Sequence, residues 1–138
     1  MYILYIMILV PISLGELIDK ITILKIKLLK IKDECKLKNV INEYEQLSEI
    51  LKKNNFTEEN QLFIDLYNLN LEFWEYHDWQ RERWRNLEGK SNLLDIELYN
   101  KNREEHILND RRAEIKKKIN TEYNSLIVEE KQFISYQI

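Results

Sequence analysis

The chain is poor in the residues that punctuate or cross-link other folds. It has one cysteine, Cys35, in 138 residues. That excludes a disulfide framework and a thiolate metal cluster, and it fits a reducing, cytoplasmic setting. It has one proline, Pro11, and two glycines, Gly15 and Gly89. Turn-rich β architectures and low-complexity linkers need more of both. No Gly-rich phosphate loop and no zinc signature occurs. Neither charge sign dominates: 21 Lys and Arg against 24 Asp and Glu leave a net charge of −3. The chain as a whole therefore has no pull toward nucleic acid or anionic lipid. The longest apolar stretch is the opening MYILYIMILVPI, residues 1–12. It is too short to span a bilayer and lacks the basic start and small-residue cleavage site of a secretory signal. Ala113 is the only alanine, and Ile, Lys and Asn crowd the rest. That bias is compositional, so lysine and asparagine counts carry no functional weight.

What is present reads as helix. With 33% charged residues and so few breakers, an all-α single domain spanning 1–138 is expected. The organising stretch is Ser13 to Lys32, SLGELIDKITILKIKLLKIK. Ser13 with Glu16 three residues on is a capping box. Leu17, Ile21, Leu24, Leu28 and Ile31 recur at the helical period. A second apolar set, Ile18, Ile23, Ile26 and Leu29, occupies the other side, with lysines in the seams. A helix apolar on two faces has two sets of neighbours, either inside a bundle or across a dimer interface.

Further helices are expected near 35–53, 58–88 and 91–123. Asp33-Glu34 marks a break after the first, or else the first two are continuous. Thr57 is the expected N-cap of the third helix, Gly89 its C′ residue, and Ser91 the N-cap of the fourth. The stripe of the third is Leu62, Leu66, Leu69, Phe73, Tyr76, Gln80, Trp84 and Leu87. The fourth should read Leu94, Leu98, Lys101, Glu105, Leu108, Arg112, Ile115 and Ile119, charged at three middle positions. The expected fold is an antiparallel helical bundle with a long hairpin of helices 3 and 4. Residues 1–6 read as an upstream extension before Met7, 7–12 as an extended segment and 124–138 as an extended tail. Val10–Ile12 and the β-prone Leu126–Val128 are placed to form a minimal two-stranded clip.

The run VPISLGELIDKITIL, from Val10 to Leu24, resembles a family of short proteins of bacteria and their phages known as domain of unknown function 6165. Trp74 to Arg81, Asn109 to Asn120, Ser125 and Glu129 to Lys131 also match, so the resemblance covers nearly the whole chain from Met7. It implies a residue pattern and Met7 as the start, and no activity. His77 stands where an acidic residue is expected.

Sequence places the best site in the polar middle of the 3/4 hairpin: Asn70, Trp74, Arg81, Glu105, Asn109 and Arg112. Two arginines with amides suit a small anion. The bland alternative is a buried register-fixing network with Glu105 paired to an arginine. Glu72, Glu75 and Asp78 are weak candidates for Mg²⁺, because they spread over different faces of the helix. Metal and cofactor are both expected to be none. His77 and His106 lack a third ligand. Arg111, Arg112, Lys116, Lys117 and Lys118 point all round their helix, so no nucleic-acid stripe forms. Gly15 opens a helix whose positive end Glu16 and Asp19 already occupy, so no phosphate is expected there.

The function these readings favour is a small cytosolic interaction or accessory protein. Its expected partner is a second copy or another protein, met through the two-faced first helix or Trp79. Nucleic acid and membrane are not expected partners. The competing class is a small helical enzyme or ligand-binding protein, pyrophosphohydrolase-like or mutase-like, using the arginine-containing cavity.

Overall fold

Four helices form where an apolar period meets a capping residue. A computed structural model describes residues 2–87 and 95–132. Helix α1 is Leu14–Lys30, α2 Glu34–Lys53, α3 Gln61–Leu87 and α4 Ile96–Glu122. Ser13 caps α1, its Oγ accepting the Glu16 N–H at 3.0 Å. The capping box is half made, because the Glu16 carboxylate turns instead to Lys116 Nζ at 2.6 Å. Helices α1 and α2 are separate. Ile31 is extended, and the Asp33 side chain caps α2 by accepting the Lys36 N–H at 2.9 Å. Two helices end without glycine: Asn55 and Asn124 take φ of 57° and 53° just past α2 and α4. Asparagine tolerates this left-handed conformation better than other non-glycine residues.

Helix α3 starts at Gln61, four residues after the expected cap Thr57. Glu58 is drawn away by Lys25 Nζ at 2.8 Å and the Tyr44 hydroxyl at 2.6 Å. Asn60 caps instead, its Oδ1 accepting the Leu62 N–H at 2.9 Å. Asp95 caps α4, accepting the Leu98 N–H at 2.9 Å. The expected roles of Gly89, Ser91 and Leu94 lie outside the described residues.

Helix α1 is the hub. It packs against α2, α3 and α4, and α3 packs against α4. Leu17, Ile18, Ile21, Leu24 and Ile26 are at most 4% exposed. Most of both faces of α1 is thus covered within one chain, while Leu29 of the second set stays 67% exposed. The main core joins Ile18, Ile21, Leu51, Phe63, Leu66 and Ile119. A smaller core joins Leu69, Phe73 and Leu108, and Ile115 packs against both. Helices α3 and α4 run antiparallel: Arg83 pairs with Asp95, His77 faces Glu105, and Arg112 lies over Phe73.

Trp84, expected in the core stripe, is 59% exposed. Helix α1 ends at Lys30, which reaches Glu75 at 4.0 Å, so no third helix covers α3 two turns further on. Trp79 is half-buried, with Arg83 and Lys101 within 6 Å of its ring.

The two-stranded clip is not formed, since no strand occurs among the described residues. Side chains do its work. Ser125 Oγ accepts the Leu14 N–H at 3.1 Å, and Ser13 Oγ donates to the Glu129 carboxylate. These contacts tie the tail to the start of α1. No helix among the described residues is long and apolar enough to cross a membrane.

Candidate functional site

Asn70 is the buried end of a groove between α1, α3 and α4. Its Nδ2 donates to Asp19 Oδ1 and to Thr22 Oγ1, both at 2.8 Å. Those three side chains are at most 6% exposed, and together they make a polar knot in the bundle. Thr22 belongs to it because its hydroxyl also donates to the Asp19 carbonyl at 2.7 Å. Asp19 receives a third contact from Lys116 Nζ at 3.7 Å. A buried carboxylate held by an amide and an ammonium stays satisfied, at the cost of fixing all three helices in one register.

From Asn70 the groove opens outward, with a volume of about 490 Å³. Five of the six sequence candidates line it: Asn70, Trp74, Glu105, Asn109 and Arg112. Arg81 does not. It is exposed, for the same reason as Trp84: α3 has run past the end of α1. Ile23 and Ile26 of α1 and Phe73 of α3 supply an apolar wall.

Glu105 is not paired to an arginine. Its Oε1 lies 3.0 Å from His77 Nε2, and the two side chains are 34% and 42% exposed. Antiparallel packing brings these two positions face to face, while Arg112 lies two turns further along α4. Arg112 Nη2 donates to Asn109 Oδ1 at 2.9 Å, and its guanidinium sits 5.1 Å above the centre of the Phe73 ring. It makes no salt bridge among the described residues, although it is half-buried. Close by, burial and then the Glu105 and Glu104 carboxylates push the Tyr76 phenol above its ordinary value. Glu72, Glu75 and Asp78 all lie exposed on the outside of α3. No group of three or more potential metal ligands occurs among the described residues.

A second polar cluster escaped the sequence reading as a site. It lies where α1 begins and α4 ends. Asn120 Oδ1 accepts the Gly15 N–H at 2.7 Å, and its Nδ2 donates to Glu129 Oε2 at 3.2 Å. Burial acts to raise the Glu129 carboxyl, but hydrogen bonds from Ser13 and Asn120 and the charge of Lys116 outweigh it and hold it below its ordinary value. The first N–H groups of α1 are thereby occupied by Ser13, Asn120 and Ser125, which leaves none for phosphate. The available signal was the resemblance itself, because Ser13, Gly15, Asn120, Ser125 and Glu129 all fall in its matching stretches.

Those stretches decide the affiliation, for the match to the family of unknown function DUF6165 runs over residues 8–136. The chain belongs to that family. No curated protein and no solved structure shows significant similarity to it. Membership brings a shared sequence pattern and no activity, so the chemistry of the groove has to be argued from its own residues.

Proposed function

We propose that this protein binds a small anionic molecule in the α1/α3/α4 groove, with Arg112 as the receptor for a carboxylate or phosphate. One observation carries the reading: a half-buried guanidinium lines an open groove and has no carboxylate partner among the described residues. An arginine placed to lock a bundle would be neutralised by an acidic side chain. Here an aromatic ring and one amide hold it, and that leaves donors for a ligand. Trp74 and the wall of Ile23, Ile26 and Phe73 suit the apolar or planar body of such a molecule. Asn102 and the His77–Glu105 pair suit its hydroxyl or amino substituents.

Thermal-shift measurements against inorganic phosphate, small dicarboxylates and nucleotides test this. A ligand at 100 times its Kd adds about 2.7 kcal/mol to stability. The shift should appear in the native protein and be lost in Arg112→Gln. A panel that moves neither protein would reject the reading.

A second reading, a cytoplasmic accessory protein that works through protein contacts, is supported by the apolar residues Tyr2 to Val10, which this chain leaves open. The same thermal-shift panel separates the two, since a purely protein-binding module responds to none of its members.

A further inference from the structure

Before α1 the chain from Tyr2 to Ile12 is neither helical nor paired as a strand with any described residue. Every side chain from Tyr2 to Val10 is apolar and 64–98% exposed. No charged residue precedes Glu16. Beside the segment lies a cleft of about 740 Å³, bounded by Met7 to Val10 on one side and by Leu47, Ile50, Tyr123 and Leu126 on the other. Ile50 and Tyr123 are 42% and 44% exposed, and Leu126 is fully so. An apolar segment thus lies beside a cleft of mixed lining, apolar at these positions and polar at Lys20, Glu43, Gln46 and Asn54, and no other described residue covers the segment.

We infer that a second copy of this chain covers this face, the two N-terminal segments pairing as antiparallel strands and each seating against the partner's cleft. Size supports it. Nine open apolar side chains, five of them in the stretch ahead of Met7, present on the order of 1,000 Å² per copy, against roughly 800 Å² per partner in a standard stable interface. Backbone chemistry supports it as well. The run is rich in Ile, Leu, Tyr and Val, its peptide groups have no backbone partner among the described residues, and strand addition satisfies them. Pro11 ends such a ladder before α1 begins.

Self-pairing is favoured because the segment carries no charge that would select a different partner. A two-fold axis also lets each copy offer both the strand and the cleft. A two-stranded ribbon alone is marginal, which is why the cleft is needed. A bilayer is the poorer occupant. A segment without backbone partners leaves its peptide groups unsatisfied in hydrocarbon, and this one carries no basic residue of its own to meet anionic headgroups.

The test is the mass in solution of the full chain at about 100 µM, above the weakest Kd that an interface of this size shows. Light scattering should give twice 17.0 kDa for the native protein and a single copy for the Ile6→Asp/Ile8→Asp variant. Both side chains are about 80–90% exposed, so the variant should keep its helical signal and melting temperature at low concentration. A native protein that stays monomeric overturns the inference, and so does a dimer that survives the double substitution. Co-sedimentation of a monomeric native protein with phosphatidylcholine vesicles overturns it in favour of a lipid surface.

Discussion

Asn120 and Gly15, 105 residues apart, are joined by a 2.7 Å hydrogen bond from the Gly15 N–H to the Asn120 side chain. This bond sets the first turn of α1 against the last turns of α4. It needs a close approach, because a Cβ at position 15 would lie 2.6 Å from the Lys116 carbonyl oxygen and 3.0 Å from Asn120 Oδ1. The obstacle at 2.6 Å is backbone, which cannot rotate away.

Gly15→Ala should therefore destabilise the fold by about 2–3 kcal/mol, despite the better helix propensity of alanine. Urea unfolding of the two proteins measures it. Equal midpoints would mean that α1 and α4 are not in contact at this level.

Asn70 is the only side chain of α3 that donates to Asp19. Asn70→Leu keeps the volume and leaves a buried carboxylate oxygen and the Thr22 hydroxyl without their donor. A loss of about 2–3 kcal/mol is expected. Thr22→Val, which removes only the hydroxyl, should lose about 1 kcal/mol. If the two variants unfold at the same denaturant concentration, Asp19 is not held as described.

Arg112→Gln should cost less than about 1 kcal/mol, because the guanidinium is half-exposed and has no salt bridge among the described residues to lose. Loss of one partner from a buried pair would cost roughly 3–5 kcal/mol. Stability near the native value with ligand response abolished is the expected combination. A collapse of stability would identify the arginine as structural.

Stability should fall in acid, with Glu129 as one cause. Its carboxyl is held below the ordinary value of 4.5, so the folded state favours the ionised form. Such a group contributes above about pH 4.5, and its contribution is lost as the pH falls through the lower folded-state value. Glu129→Gln should melt below the native protein at about pH 7, and the gap should close toward about pH 3. Glu58, also lowered, adds to the acid loss in both proteins: burial works against its ionised form, and the hydrogen bonds from Lys25 and Tyr44 outweigh that. A gap that stays constant across this range would mean that Glu129 is not bound at the start of α1.

The sequence made the site partly legible. The stripe of α4 carries Glu105 and Arg112 among apolar residues, and that alone marks a helix with an incomplete core face. Five of the six positions named from that stripe, the polar ridge beside it and the matching flank of α3 line the groove. The pattern could not supply their partners. Glu105 meets a histidine, Arg112 meets a phenylalanine ring, and Arg81 meets water. The polar knot itself belongs to Asp19, which reads in sequence only as a charge at the positive end of α1, and to Thr22, which nothing in the sequence singles out.

Leaving open whether α1 and α2 are continuous and what covers α1, the sequence alone determined the four helical segments and the two apolar faces of α1. Each follows from a 3.6-residue period or a cap, and those forces act within one or two turns. Only the tertiary structure decided which polar side chains meet, where α3 outruns its cover, and that side chains rather than a strand ladder hold the tail. Those outcomes depend on helix lengths and crossings set by residues dozens of positions apart. A helix ending at Lys30 leaves Arg81 and Trp84 in solvent, whatever the period of α3 says of them.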